Sequence, residues 1–179
     1  FMVCGGAEAI RELMTMPYFT AVPSPIGNLT LTANESSLTG LYFSTGPKAR
    51  TADAAWVRDD KRFGEAVAQL RAYFSGRLES FDLPLEASAT PFQNRVLGAL
   101  EEIPYGETRT YRDIARAVGS PKAVRAVGSA NGANPIAIII PCHRVVGSNG
   151  SLTGFAGGLP AKRFLLDLES RDGKWHLSN

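Results

Sequence analysis

Five apolar residues, Ile136-Ala137-Ile138-Ile139-Ile140, run into Pro141 and then into Cys142, His143 and Arg144. No other stretch limits the fold so tightly. β-branched side chains favour extended backbone and need cover, so the run predicts a buried strand or extended segment. Proline lacks an N–H and ends regular pairing. The residues after it therefore sit at the edge of a core, where a thiol is both sheltered and reachable. The chain has only two cysteines and two histidines in 179 residues, and one of each stands here side by side.

Two layouts flank this segment. Residues 18–43, "YFTAVPSP", "GNLTLTAN" and "LTGLYFS", alternate apolar residues and threonine between turn signals and predict a small antiparallel sheet. Residues 45–60 read as a loop, and "FDLPLE" as one further strand. Between them Phe63, Val67, Leu70 and Phe74 recur at helical spacing, closed by Gly76. Beyond residue 88 the pattern turns helical, starting with the face Phe92, Val96, Leu97 and Leu100. The expected fold is an α/β N-terminal domain (small antiparallel sheet plus helix) followed by a mostly α C-terminal domain with a helix-turn-helix. Its boundaries are an N-terminal extension over 1–17 with a short helix at "AEAIRELM", a support domain over 18–88, a C-terminal domain over 89–170 and a tail over 171–179.

Composition excludes several classes. No apolar run reaches the roughly 18 residues that span a bilayer, and the start lacks a basic region followed by a clean apolar core, so neither a membrane segment nor a signal peptide is expected. Cys4 and Cys142 form no framework, which fits a reducing cytosol and a cytoplasmic location. With His176 at the far end, the cysteines and histidines do not make a four-ligand zinc site, and neither metal nor cofactor is expected. Charge is uneven: residues 1–89 carry 8 Lys and Arg against 10 Asp and Glu, residues 90–179 carry 11 against 7. The basic half suits a polyanion.

Within that half, Thr110 and Asp113 read as a capping box, Ile114, Ala117 and Val118 as an apolar face and Gly119 as a stop. Ser120 reads as the cap of a second helix with Pro121 at its first position. Two short helices joined by a tight turn make a helix-turn-helix. The second helix is nearly bare apart from Lys122 and Arg125. Major-groove readers carry long polar side chains; a thin helix instead suits the minor groove, about 6 Å wide, where it reads little sequence. One arginine would push toward the base stack.

A thiolate needs a base or cation nearby to lower its pKa from about 8.5. His143 and Arg144 meet that need. Neighbouring residues on a strand point to opposite faces, so Cys142 and His143 would meet only through a turn or a bridging water. A buried histidine base also wants an orienting carboxylate, for which Asp167 and Glu169 are both candidates.

"IPYGETRTYRDIARAVGSPKAVRAVGSANGANP" followed by "IPCHRVVGSNGSLTGFAGGLPAKRFLLDLE" resembles the O6-alkylguanine-DNA alkyltransferase family, over roughly residues 90–170. The N-terminal part shares only the layout and a "SPIG" strand start. The resemblance implies direct-reversal repair of double-stranded DNA by a one-time, irreversible transfer of an alkyl group from guanine O6 to Cys142, with nucleotide flipping; transfer from thymine O4 is left open. It implies His143 as base through a water, Glu169 as the carboxylate that orients it, Asn134 as shaper of the cysteine turn and Tyr111 as hydrogen-bond donor to the departing guanine. Arg125 corresponds to the finger that fills the gap left by the base, with Tyr111, Arg112, Ser120 and Ser148 as further DNA contacts. Val145, Phe155, Ala156 and Pro141 correspond to the pocket lining. A monomer is expected, with cooperative assembly on DNA left open. Leu97 departs from the tryptophan common in the family, which touches packing and not chemistry; Cys142 sets the chain apart from relatives that lack the thiol. A DNA-binding regulator and a cysteine hydrolase are the competing classes: the first needs base reading, the second an oxyanion hole and turnover.

Overall fold

The computed structural model describes residues 16–170. The expected helix at "AEAIRELM", Cys4, His176 and the tail lie outside the described residues. Three strands, β1 (Tyr18–Val22), β2 (Leu29–Ala33) and β3 (Leu38–Phe43), form the antiparallel meander. Gly27 turns β1 into β2 at φ 97°, which a side chain would resist. The sheet is nevertheless mixed. β4 (Val57–Arg58), inside the stretch expected to be a loop, pairs parallel to β1 at the edge. Two exposed residues carry no alternation, so nothing local announced it. "FDLPLE" contributes only a single bridge, Leu85 to Leu38, because Pro84 has no N–H to extend a ladder.

Helix α1 (Gly64–Phe74) follows a 3-10 turn and buries Ala66, Leu70 and Tyr73. Gly76, at φ 70°, stops the chain where expected. The second half is helical: α2 (Pro91–Glu101), α3 (Tyr111–Ala117), α4 (Val124–Gly132) and α5 (Leu159–Glu169). α2 opens with a Thr90–Gln93 capping box and Pro91 at its first position. β5 (Arg109–Thr110) and β6 (Val145–Val146) add a short parallel pair. Leu97, Leu100, Ile114 and Val127 are all within 4% exposure and belong to the same core as β2 and β3. Among the described residues no helix is long and apolar enough to cross a membrane.

The helix-turn-helix forms with one change. The Thr110–Asp113 box is complete, and α3 ends in a Schellman motif at Gly119, with Ser120 N–H bonded to Ala115 O at 2.9 Å. The second helix, however, begins at Val124 with Ala123 as its N-cap; Ser120 makes no side-chain cap, and Pro121 and Lys122 lie in the turn. Ser120 is committed to closing α3, which displaces the start by one turn.

The 136–140 run is buried as expected but is no strand. Ile138 holds φ 72°, Ile140 N–H bonds back to Ile136 O at 3.0 Å, and the sole tie to the sheet is Leu41 N–H to Pro135 O at 2.8 Å. Left-handed backbone at a β-branched residue costs on the order of 1–3 kcal/mol and persists only where the surroundings over-determine it. The coil sits directly before the cysteine.

Candidate active site

Cys142, His143 and Arg144 form one 3-10 turn, with Arg144 N–H bonded to Pro141 O at 3.0 Å. Asn134 clamps the coil in front of it: its amide donates to Ile140 O at 2.8 Å while its oxygen accepts from Ile136 N–H at 3.0 Å. Asn131 donates to Cys142 O at 3.4 Å. The thiol is 4% exposed. Burial pushes it up from its ordinary pKa, and the Asn134 amide and the Lys162 charge pull it partly back.

The turn throws His143 and Arg144 inward, onto the last residue of α5. His143 Nε2 lies 2.8 Å from Glu169 Oε1; Arg144 donates through Nε to Oε2 at 2.8 Å and through a terminal nitrogen to Oε1 at 2.9 Å. Arg144 also donates to Ile103 O at 2.6 Å. His143 is 0% exposed and Glu169 2%, whereas Asp167 is exposed, so the geometry selects Glu169. Burial alone would raise the Glu169 carboxyl; the hydrogen bond from His143 and the bonds and charge of Arg144 outweigh it and hold it well below the usual carboxylate range. A carboxylate only accepts, so His143 Nε2 carries the proton and Nδ1 presents a lone pair. Nδ1 is buried with no protein partner. Burial, reinforced by Arg144 and Lys162 and opposed by Glu169, lowers the His143 pKa, which keeps the ring neutral.

That has a consequence for stability. The unfolded ring takes up a proton near pH 6.5, whereas the folded ring resists it, so the unfolded chain binds more protons as pH falls and the fold weakens. Thermal melts should show a falling midpoint between about pH 6.5 and 5, above the range where ordinary carboxylates titrate; a flat midpoint over that window would contradict the buried neutral ring.

Three members of the site escaped sequence reasoning. Arg144 was visible only as a cation beside the thiol, not as the partner of Glu169. Tyr73 donates to Glu169 Oε1 at 2.7 Å from 96 positions away. Lys162 is fully buried and donates to Val145 O at 2.6 Å and Thr153 O at 3.0 Å, and burial pulls its ammonium down to about 8. Lys162, Leu165, Leu166 and Glu169 share the buried face of α5, a periodicity that could have revealed it.

Beside this cluster opens a cleft of about 580 Å³, walled by Tyr111, Arg125, Gly128, Ser129, Phe155 and Ala156 among others. Thr153 donates to the Tyr111 hydroxyl at 2.9 Å, which leaves the phenol proton free for a ligand. Burial, together with the nearby Cys142, raises the Tyr111 pKa, against the Thr153 bond. Arg125 is exposed on α4 and borders the cleft. Of the expected lining, Phe155 and Ala156 are walls; Val145 and Pro141 are buried and are not among them. Arg112 and Ser148 are exposed and Ser120 half-buried, all outside the cleft walls.

A buried thiol in one turn with a neutral histidine that is bonded to an ionised carboxylate, near a cleft bordered by the second helix of a helix-turn-helix, defines a thiol protein built to face nucleic acid. The comparisons are more specific. The DNA-binding domain of 6-O-methylguanine DNA methyltransferase matches residues 91–171, and the ribonuclease-like domain of the same protein matches residues 17–87. The chain is 56% identical to a methylated-DNA–protein-cysteine methyltransferase of Methanosarcina barkeri, over 87% of this chain and 98% of that one. A crystal structure of Mycobacterium tuberculosis O6-methylguanine methyltransferase has a TM-score of 0.79 at 50% identity, covering 86% of this chain and 93% of that one. The Mycobacterium tuberculosis OGT in complex with DNA also has a TM-score of 0.79, at 51% identity over 85% and 92% of the two chains. The chain belongs to the 6-O-methylguanine DNA methyltransferase family.

Proposed function

We propose that the protein repairs double-stranded DNA by moving an alkyl group, methyl in the simplest case, from O6 of guanine to Cys142, once per molecule. The observation that carries this is a buried thiol in the same 3-10 turn as a histidine whose Nδ1 has no protein partner, with that ring against Phe155, a wall of the cleft that Arg125 borders. O6 of a stacked guanine is out of reach, so the nucleotide turns out of the helix into the cleft. Arg125, on the thin helix α4, fills the place it leaves. Arg112, Ser120 and Ser148 are assigned to contacts with the DNA backbone.

The thiol proton passes through a water to His143 Nδ1, whose ring Glu169 and Arg144 keep oriented. The Sγ–carbon bond forms as the carbon–O6 bond breaks. The bonding pair leaves on guanine, which is protonated with the help of Tyr111, so the proton lost by the thiol balances the one gained by the base. Displacement at a saturated carbon calls for no metal or redox group. The thioether has no leaving path, which makes the reaction single-turnover. Residues 18–88 support the reacting half, residues 89–170, and a reducing cytosol keeps the thiol available.

The test is to incubate the protein with duplex DNA containing O6-methylguanine and weigh it intact. One CH₂ unit of added mass, at one equivalent, mapping to the peptide with Cys142 and absent from Cys142→Ser, is expected. Turnover beyond one equivalent, or no adduct, would overturn the reading.

A further inference from the structure

Glu169 Oε1, the oxygen on which His143 depends, is shared by three donors: Tyr73 at 2.7 Å, His143 at 2.8 Å and Arg144 at 2.9 Å. Oε2 takes Arg144 at 2.8 Å and Gly106 N–H at 3.4 Å. Four of these donors come from the C-terminal half. The shortest of the five comes from α1, in the N-terminal half. Tyr73 is 0% exposed, and its ring is wedged against Phe74, Phe81 and Tyr105 at centroid distances of 5.4, 5.3 and 6.3 Å. A ring so held cannot swing its hydroxyl to another acceptor.

Resting on the function read above, we propose that Tyr73 is a positioning residue for alkyl transfer: its hydroxyl fixes the Glu169 carboxylate and draws charge from Oε1, so that His143 stays a neutral base. A buried tyrosine satisfied by a carboxylate has a plainer role in packing, and the two roles differ in what they do to protonation. Burial first, and then the Glu169 charge and bond, raise the Tyr73 pKa well above its ordinary value, so the phenol donates throughout the working range. A donor on Oε1 weakens that oxygen's hold on the proton at His143 Nε2, and the imidazolium is stabilised less. Without the hydroxyl, Oε1 pulls harder and His143 takes up its second proton more readily. The charged and titratable groups around the pair are Arg144 and Cys142 in its own turn, Lys162 on α5, Tyr73 on α1 and Tyr105 after α2, on which Glu79 acts in turn. None but Tyr73 is touched by the change proposed.

The experiment compares the wild type, Tyr73→Phe and protein carrying 3-fluorotyrosine at position 73, in single-turnover methyl transfer from duplex O6-methylguanine between about pH 5 and 8. The His143 ring is titrated in parallel by NMR, where only two histidines need to be resolved. In Tyr73→Phe, loss of one bond to a charged acceptor should move the acid limb and the His143 titration up by about half to one pH unit. The more acidic fluorophenol, a stronger donor of unchanged shape, should move both down. DNA affinity should stay within about twofold in each case, since the residue touches no DNA-facing group. Unmoved acid limbs, or a rate lowered equally at every pH, would overturn the proposal and leave Tyr73 a packing residue. Should Tyr73→Phe fail to fold, the fluorotyrosine shift decides alone. A wild type that accepts no methyl group would instead overturn the function, while the NMR titrations would still test the link between Tyr73 and His143.

Discussion

Replacing Glu169 with alanine should cost the fold about 3–5 kcal/mol, the range for removing one partner of a buried ion pair, and abolish alkyl transfer. The carboxylate is the sole acceptor for the phenol of Tyr73 and the Nε2–H of His143, and it takes two of the donors of Arg144. Arg144 is 7% exposed and Glu169 2%, so the guanidinium left behind cannot recover water without opening the end of α5. The cost is mainly that of stranded donors, which exceeds what any of these bonds contributes in balance. Glu169→Gln separates the two effects. It keeps the shape, lowers the charge, and turns an amide N–H or a weaker acceptor toward His143; stability should suffer less than in Glu169→Ala, while transfer falls by more than about tenfold because the ring's tautomer is no longer dictated. Urea unfolding and the intact-mass assay measure the two outcomes. An alanine variant within about 1 kcal/mol of wild type would mean that water reaches the site freely.

Where the sequence was legible, the signal was local. Gly119 and Gly76 ended helices because a positive φ at a helix terminus favours glycine, and a glycine is visible wherever it stands. The Thr110–Asp113 box was readable for the same reason: both partners lie within one turn. Even the choice of Glu169 over Asp167 was implicit in helical phase, since Glu169 lies four positions beyond Leu165 and three beyond Leu166, both buried, while Asp167 faces out. What failed was non-local. β4 exists because β1 has a free edge, a property of the sheet and not of Val57 and Arg58. The 136–140 run satisfied every local criterion for a strand, yet its neighbours offer only Leu41 to pair with, and the chain coils on itself through Ile138 instead. Tyr73 sits in an ordinary amphipathic face, and nothing within α1 distinguishes a tyrosine that packs from one that bonds a carboxylate 96 positions on. The motif at 141–144 named the thiol and the ring; the network behind them needed the fold.

Arg125→Ala should divide the substrates. In the reaction proposed above, the extruded nucleotide leaves a gap in the duplex whose collapse competes with repair, and unstacking costs a few kcal/mol. Removing the side chain proposed to fill the gap should therefore slow duplex repair roughly 10²-fold, as about 3 kcal/mol of lost stabilisation implies. Free O6-benzylguanine enters the same cleft with no helix to open, so its reaction with Cys142 should change by no more than about threefold, since the lost side chain supplies only a part of one wall. The surroundings make the contrast sharp. Beyond Arg125, the part of α4 that borders the cleft is Val124, Gly128, Ser129 and Gly132, and a Cβ built on Gly128 would stand 3.9 Å from the Tyr111 ring. No second long side chain on that helix is placed to substitute. Arg112→Ala serves as the comparison: exposed and outside the cleft walls, it should weaken DNA binding alike for damaged and undamaged duplexes and lower the salt slope by about one, with little effect on the rate at saturating DNA. Equal losses on duplex and free base in Arg125→Ala would place that side chain in the pocket and not in the stack. A preserved duplex rate would mean that α4 holds the DNA open by its backbone alone.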